Sequence, residues 1–325
     1  MAAAIWVEAA AAVDNPRKVD FWQVFLAANL SPNDRATFLS GLPEGIDPVA
    51  ALYAWPKLRP EQRERMRLAQ SAPLPSLVSK GVHVLTGHGL PGNLATVPNP
   101  PAALFAWGDP SVLDKPCVGI VGTRKASSYG MACARKFAEA LDKAGITVIS
   151  GGAQGIDASA HRGALDYGST VAVLGTGVDG CFPSSHRGLY DEIKDKGCLI
   201  SQFACGTPSF PENFIHRNTV IAALSMALIL IEGPPKSGAL MTANATLDMG
   251  RELFVVPGPI HLTSFQGSHA LIREGATLVD HPSLVLEALG IEPLSEVPQE
   301  EDYDPMTSAI LEVLGAEPLS GDHVV

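Results

Sequence analysis

The sequence predicts an α/β protein: a doubly wound, mostly parallel sheet preceded by a small all-α region. Three observations predict it. From residue 117 onward, short runs of aliphatic and β-branched residues recur, and most end in glycine: VGIVG at 118–122, ITVISGG at 146–152, STVAVLGTG at 169–177, MALILIEG at 226–233 and ELFVVPG at 252–258, with CLISQ at 198–202 as a further run. Stretches with helical spacing lie between several of them: Met131, Ala134, Ala138 and Leu141, then Ala158 to Leu165, then Ala239 to Met249. The runs are continuously apolar, as strands covered on both faces are. Crossovers between parallel strands are right-handed, so these strands point one way and their glycine ends gather on one edge. Open α/β sheets bind ligands at that carboxyl edge.

Residues 16–70 read as short helices. Apolar residues cluster at Val24, Phe25 and Leu26, at Phe38 and Leu39, and at Leu52, Tyr53 and Trp55. Ser31-Pro32, Gly41-Leu42-Pro43 and Pro56 break the clusters. Ser31 suits a helix cap, with Pro32 in the first helical position and Asp34 in the third. The run RPEQRERMRLAQ reads as a charged, exposed helix. The region reads as a packing module without chemistry of its own. Residues 72–116, rich in Pro and Gly, read as a connection with one or two short strands such as Val82 to Leu85. The Ala-rich start lacks a basic leader and carries Glu8, so it reads as a frayed helix rather than a signal peptide. An acidic linker follows Gly290, and MTSAILEVL at 306–314 reads as the beginning of a helix. The expected division is a helical domain at 1–72, the sheet domain at 73–289, and a linker with a truncated third domain at 290–325.

The hydrophobic fraction of 46% and charged fraction of 18% are those of an ordinary globular chain. No apolar run reaches the roughly 18 residues of a membrane span. The five cysteines (Cys117, Cys133, Cys181, Cys198 and Cys205) form no C-x-x-C pair. They fit reduced thiols in a cytoplasmic protein without a metal site. The net charge is −11, but residues 290–325 hold nine acids and no Lys or Arg. Residues 1–116 balance ten bases against ten acids, and residues 117–289 thirteen against fifteen. A nearly neutral body can still present a local basic groove to nucleic acid.

The loops at the glycine edge carry the chemistry. GTRKASS supplies Arg124, Lys125 and hydroxyls, and SGGAQGID supplies Gly151 and Gly152, whose amides can approach a phosphate ahead of a helix N-terminus. IEGPPKSGALMTA supplies Lys236, Ser237 and Gly238. FIHRN, read as another loop of this edge, supplies Phe214, His216, Arg217 and Asn218. Cations, bare backbone donors and an aromatic ring suit a phosphodiester backbone with unstacked bases. A single strand fits better than a duplex, because no long basic recognition helix is present. Each residue also has a plainer reading: Arg124 as a solvated loop residue, Phe214 as core, Asp157 and Asp179 as helix caps or turn closers. The convergence of three such loops on one edge favours a site. Nicotinamide binding is disfavoured, since the glycines of GTGVDG at 175–180 run on to a Phe-Pro pair. P-loop and nucleophile-elbow motifs are lacking.

The succession G-T-R at 122–124, SGGAQGID at 150–157, AH-x-GAL at 160–165, G-x-D-x-x-FP at 177–183, F-x-x-RN at 214–218, KSGALMTA at 236–243, GRELFVVPG at 250–258 and GSHALIREGA at 267–276 resembles the DprA/Smf family of DNA-processing proteins. The resemblance covers about residues 80–289. It implies an extended Rossmann-like fold without cofactor or catalytic turnover. It further implies a cytoplasmic homodimer that binds single-stranded DNA, protects incoming DNA and loads RecA onto it in natural transformation. The front region would be sterile-alpha-like and the last residues the start of a winged helix. Carried over by position, the DNA-binding residues would be Arg124, Gly151, Gly152, Phe214, Arg217, Asn218, Lys236, Ser237 and Gly238. Gln154, Gln202 and Thr219 depart from the family's usual Arg, Glu and second arginine, which puts more weight on the remaining cations.

The main rival is a nucleotide-hydrolysing enzyme similar to the phosphoribohydrolases, whose signature is P-G-G-x-G-T-x-x-E. The corresponding loop here, IEGPPKSGALMTA, lacks the glutamate after its glycines. Asp157 and Asp179 stay open as substitute bases.

Overall fold

The computed structural model describes residues 16–28, 30–42, 46–70, 81–86, 89–95, 97 and 100–291. The Ala-rich start, residues 72–80 of the expected connection at 72–116, and the acidic tail with its expected helix at 306–314 lie outside the described residues.

Four helices come first: α1 (Pro16–Ala27), α2 (Pro32–Ser40), α3 (Pro48–Ala54) and α4 (Pro60–Gln70). Each opens on proline, whose fixed φ and missing N–H cost nothing in the first turn. Ser31 caps α2 by accepting from the Asp34 amide at 3.2 Å, and Asp47 caps α3 through the Val49 amide at 3.0 Å. Phe21, Trp22, Phe25, Phe38 and Trp55 form a chain of ring contacts with centroids 5.1–5.8 Å apart. These rings share one apolar cluster with Val82 and Phe105 of the sheet.

The sheet region then runs β1 (Val82–Thr86), α5 (Gly92–Ala95), β2 (Ala103–Gly108), β3 (Cys117–Val121), α6 (Ser128–Lys143), β4 (Thr147–Ser150), α7 (Ile156–Leu165), β5 (Thr170–Val173), α8 (Arg187–Lys196), β6 (Cys198–Ser201), α9 (Pro211–Leu224), β7 (Ala227–Leu230), α10 (Gly238–Asp248), β8 (Glu252–Val255), α11 (Gln266–Arg273), β9 (Thr277–Leu278) and α12 (Pro282–Ala288). The strand order is β1-β2-β6-β5-β4-β3-β7-β8-β9. The seven strands from β6 to β9 in that order are parallel, while β1 and β2 form an antiparallel edge. The six expected apolar runs all become parallel strands.

Burial on both faces is visible residue by residue. Val118 and Ile120 of β3 enter one cluster with Phe137 and Leu141 of α6. Cys117 and Val121 enter the opposite cluster with Val220 and Leu224 of α9. The chain builds β3 to β6 outward in one direction, then returns to lay β7 on the other flank of β3. The ends of β3 and β7 therefore form the topological switch point, where adjoining crossovers leave for opposite faces and a crevice opens.

One local reading changes. FIHRN is not a loop; it lies in the first turns of α9. Pro211 in the first turn and Glu212 beside it are start signals for this helix, and they outweigh the aromatic and β-branched residues that follow.

Phe137 is almost fully buried between α6 and the sheet. Phe137→Ala is expected to lower the unfolding free energy by about 3–5 kcal/mol, read as a fall in the urea midpoint with an unchanged slope.

Candidate functional site

A cleft of about 360 Å³ opens at the switch point. Its walls are the loop after β3 (Gly122 to Arg124), the start of α7 with the preceding loop, the start of α10, and one face of α9. Phe214, Arg217, Asn218 and Ile221 all line it. Their spacing of three, four and seven residues puts them on one helix face.

Arg124 is exposed at the cleft mouth, and no hydrogen bond or ion pair among the described residues engages its guanidinium. Its guanidinium carbon stands 5.3 Å from the centre of the Phe214 ring, within cation–π range. Phe214 is half-buried and covers Gly175, where a Cβ would come within 2.7 Å of the ring. Asn218 bridges two walls: its Nδ2 donates to the Gly238 carbonyl at 3.2 Å, and its Oδ1 accepts from Arg217 Nε at 3.2 Å. Ser237 caps α10 by accepting from the Leu240 amide at 3.4 Å. Lys236 is exposed on the same loop, with a left-handed φ of 60°, and stands next to the lining residue Ser237 without lining the cleft itself.

Arg217 is different, because its guanidinium is buried. Nη1 donates to the Gly151 carbonyl and, at 2.8 Å, to the Val173 carbonyl. The guanidinium carbon lies 5.8 Å from the Phe214 ring centre. Burial pulls the pKa of Arg217 down, and the neighbouring Asp157 carboxylate pushes it back up. Burial likewise raises Asp157, opposed first by Arg217 and then by hydrogen bonds that include the Ala153 amide at 3.3 Å. The two are a buried charge and its counter-charge at the cleft floor.

Gly151 and Gly152 lie behind this floor and not in the lining. A Cβ on Gly151 would collide with the Arg217 guanidinium. Gly152 has φ of +67°, and its carbonyl accepts from His186 Nδ1 at 3.0 Å and from the Tyr190 hydroxyl at 3.3 Å. The loop closes at Gly155, with φ of +80° and no room for a Cβ beside the Thr123 carbonyl, 2.4 Å away. The Ile156 amide donates to the same carbonyl at 3.3 Å, which joins the loops after β3 and β4.

His161, one turn beyond Asp157 on α7, is also buried. The Thr170 hydroxyl donates to the Val148 carbonyl at 2.7 Å, so it accepts from His161 Nδ1–H at 2.9 Å. His161 Nε2 is thus the bare ring nitrogen, buried without a partner among the described residues. Burial first, then Arg217 and His186, push the His161 pKa down to about 3.

Two further carboxylates, Asp179 and Glu232, are engaged. Both oxygens of Asp179 accept from the Gly206 amide, at 2.8 and 3.0 Å. Glu232, buried at the end of β7, accepts from the Ser127 amide at 3.0 Å and the Ser127 hydroxyl at 2.8 Å at the head of α6. Among the described residues no group of three His, Cys, Asp or Glu is placed to hold a metal ion, and no helix is long and apolar enough to cross a membrane.

The structure thus gathers Arg124, Phe214, Asn218, Ser237 and Gly238 around one cleft, with Arg217 as its floor. Gly151 and Gly152 sit behind it and Lys236 at its rim. Sequence reasoning missed Asp157 as the counter-charge of Arg217, Glu232 as the tie to α6, and Phe182, whose ring meets Phe214 at 5.4 Å. The helical spacing of Phe214, Arg217, Asn218 and Ile221 was a usable signal for the cleft-facing side of α9.

A sequence profile of DNA recombination-mediator protein A matches residues 82–290. Protein Smf of Escherichia coli is 38% identical over 219 residues, which cover 66% of this chain and 59% of that protein. DNA processing protein DprA of Streptococcus pneumoniae is 35% identical over 190 residues, covering 58% of this chain and 67% of its own length. Against four curated relatives the chain spans between 50% and 59% of their length. The fold is similar to the crystal structure of DprA from S. pneumoniae, with a TM-score of 0.63 at 27% identity over 88% of this chain and 97% of that one. It is also similar to a structure of DNA processing protein A from Helicobacter pylori described for its single-stranded DNA binding mode. There the TM-score is 0.60 at 27% identity, over 64% of this chain and 95% of that one.

Two outcomes are expected from the buried network. Arg217→Met leaves Asp157 uncompensated and two carbonyls unpaired, and is expected to cost about 3–5 kcal/mol of stability, measured by urea unfolding. His161 binds its proton only in the unfolded chain between its ordinary pKa of 6.5 and its folded value of about 3, so it removes stability as pH falls. The loss is about 1.4 kcal/mol per pH unit. Asp157, shifted upward, favours the folded state as the medium acidifies and blunts the fall at the acid end. His161→Gln is expected to flatten the dependence of the urea midpoint on pH below 6.5; parallel curves for the two proteins would assign the acid sensitivity elsewhere.

Proposed function

The chain belongs to the family of DNA recombination-mediator protein A, and from that premise we propose that its cleft holds single-stranded DNA without sequence preference. The observation that carries this reading is the exposed Arg124 guanidinium over the Phe214 ring at the mouth of the switch-point cleft. An unpaired cation meets a phosphate there, and an aromatic face beside it takes a base.

In this reading Arg124 and Lys236 neutralise phosphates, and Ser237, Gly238 and Asn218 border the strand. Phe214 stacks a base. Arg217, Gly151 and Gly152 act from beneath by fixing the cleft floor. Asp157 lies in the field of Arg217 and accepts from the Ala153 amide, and Glu232 accepts from Ser127, which favours binding over turnover. Release of free base from nucleotides incubated with the protein would favour the phosphoribohydrolase-like alternative instead. We further propose the wider role that the resemblance implies: a cytoplasmic homodimer that protects incoming DNA during natural transformation and hands it to RecA. Pairing two clefts on one strand would raise avidity without new contacts.

With about three phosphates neutralised, binding of a labelled oligothymidine is expected to weaken with a logarithmic salt slope of about −2. Arg124→Ala is expected to weaken binding alike for oligomers of different sequence and to reduce that slope by about 0.7. Fluorescence anisotropy titrations at several salt concentrations measure both. Identical titrations for variant and parent would remove Arg124 from the site, and absence of binding by the parent protein would overturn the reading itself.

A further inference from the structure

Four strongly exposed aromatic rings occur among the described residues: Tyr129, Tyr167, Phe182 and Phe210. Three have other engagements. The Tyr129 hydroxyl donates to the Pro257 carbonyl at 2.9 Å, Tyr167 lies under the Lys143 ammonium at 4.1 Å, and Phe210 borders a separate groove beside α1 and α4. Phe182 meets the ring of Phe214, with centroids 5.4 Å apart and planes at 47°. It therefore extends the aromatic surface of the cleft outward into solvent, on the loop that follows β5.

The backbone under this ring is fastened to the core. The Phe182 carbonyl accepts from the buried Tyr190 hydroxyl at 3.0 Å. The same hydroxyl reaches the Gly152 carbonyl at 3.3 Å, and His186, four residues past Phe182, donates from Nδ1 to that carbonyl at 3.0 Å. An apolar ring that is 42% exposed yet anchored in this way is preorganised to be covered by a ligand.

We propose that Phe182 is a second stacking platform of the site, holding the base next to the one on Phe214. The inference rests on the single-strand reading above and deepens it from one base to two neighbouring bases. Stacked nucleotides in one strand rise by about 3.4 Å each, so ring centres 5.4 Å apart are within reach of adjacent bases. Every base has a π-face, so such a pair binds without reading sequence.

The test uses the full chain, labelled oligothymidine, and the same oligomer with one abasic position, titrated at several salt concentrations. Phe182→Ala is expected to weaken binding of the intact oligomer by about 5- to 160-fold, the range of one lost base stack, with the salt slope unchanged. Phe182→Trp is expected to retain affinity. Phe182→Leu, which keeps apolar bulk without a π-face, is expected to bind as weakly as the alanine variant while melting at the parent temperature. The abasic oligomer should bind the parent more weakly than the intact one and should narrow the gap between parent and Phe182→Ala. Parent-like binding by Phe182→Ala or Phe182→Leu, or a changed salt slope, overturns the proposal while leaving the single-strand reading intact. Absence of binding by the parent overturns both.

Discussion

The burial of one guanidinium organises the carboxyl edge of the sheet. Arg217 reaches from α9 under the cleft and ties together the ends of β4 and β5 through the carbonyls of Gly151 and Val173. Taking such a charge out of water costs several kcal/mol unless a counter-charge and hydrogen bonds answer it. Asp157 and the two carbonyls supply that answer. The consequence is geometric as much as energetic. The guanidinium is planar and rigid, so the loops it joins and the first turns of α9 keep one relative position. Asn218, next to Arg217 and bonded to its Nε, passes that order on to the start of α10.

The site therefore has two levels. Below, Arg217, Asp157, His161, Tyr190 and the glycine loop form a polar network whose members are buried and mostly paired with one another. Above, Arg124 and Lys236 are exposed, and Phe214 and Phe182 offer ring surface. The cation of the lower level is engaged by the protein's own carbonyls, whereas those of the upper level stand open to solvent. The bulk net charge of −11 says little about this edge. Local presentation decides what a groove attracts, and distant charges are screened within about 10 Å at moderate salt.

Much of the fold was legible in the sequence because buried parallel strands announce themselves. Runs such as VGIVG and MALILIEG are apolar at every position, and each is a strand with both faces covered. Strand order was not legible: nothing in the runs themselves says that β7 pairs with β3 rather than with β6. The helical identity of FIHRN was masked by its aromatic and β-branched neighbours, although Pro211 and Glu212 marked the start. Of the candidate site, Arg124 and Ser237 were placed by their motifs at the strand ends. Arg217 and the Gly151-Gly152 pair also belong to the edge, but residue type could not tell whether a guanidinium faces solvent or backbone. That distinction depends on Val173 and Asp157, which come from other elements and meet Arg217 only in three dimensions.

Glu232 gives the head of α6 a particular character. In dinucleotide-binding sheets the helix after the first parallel strand offers bare amides to a pyrophosphate. Here a carboxylate from the neighbouring strand already occupies the Ser127 amide and hydroxyl. A compact dianion drifting toward that helix meets fixed negative charge instead of vacant donors. The tie between the end of β7 and α6 thus closes off the helix head that a free phosphate would otherwise approach.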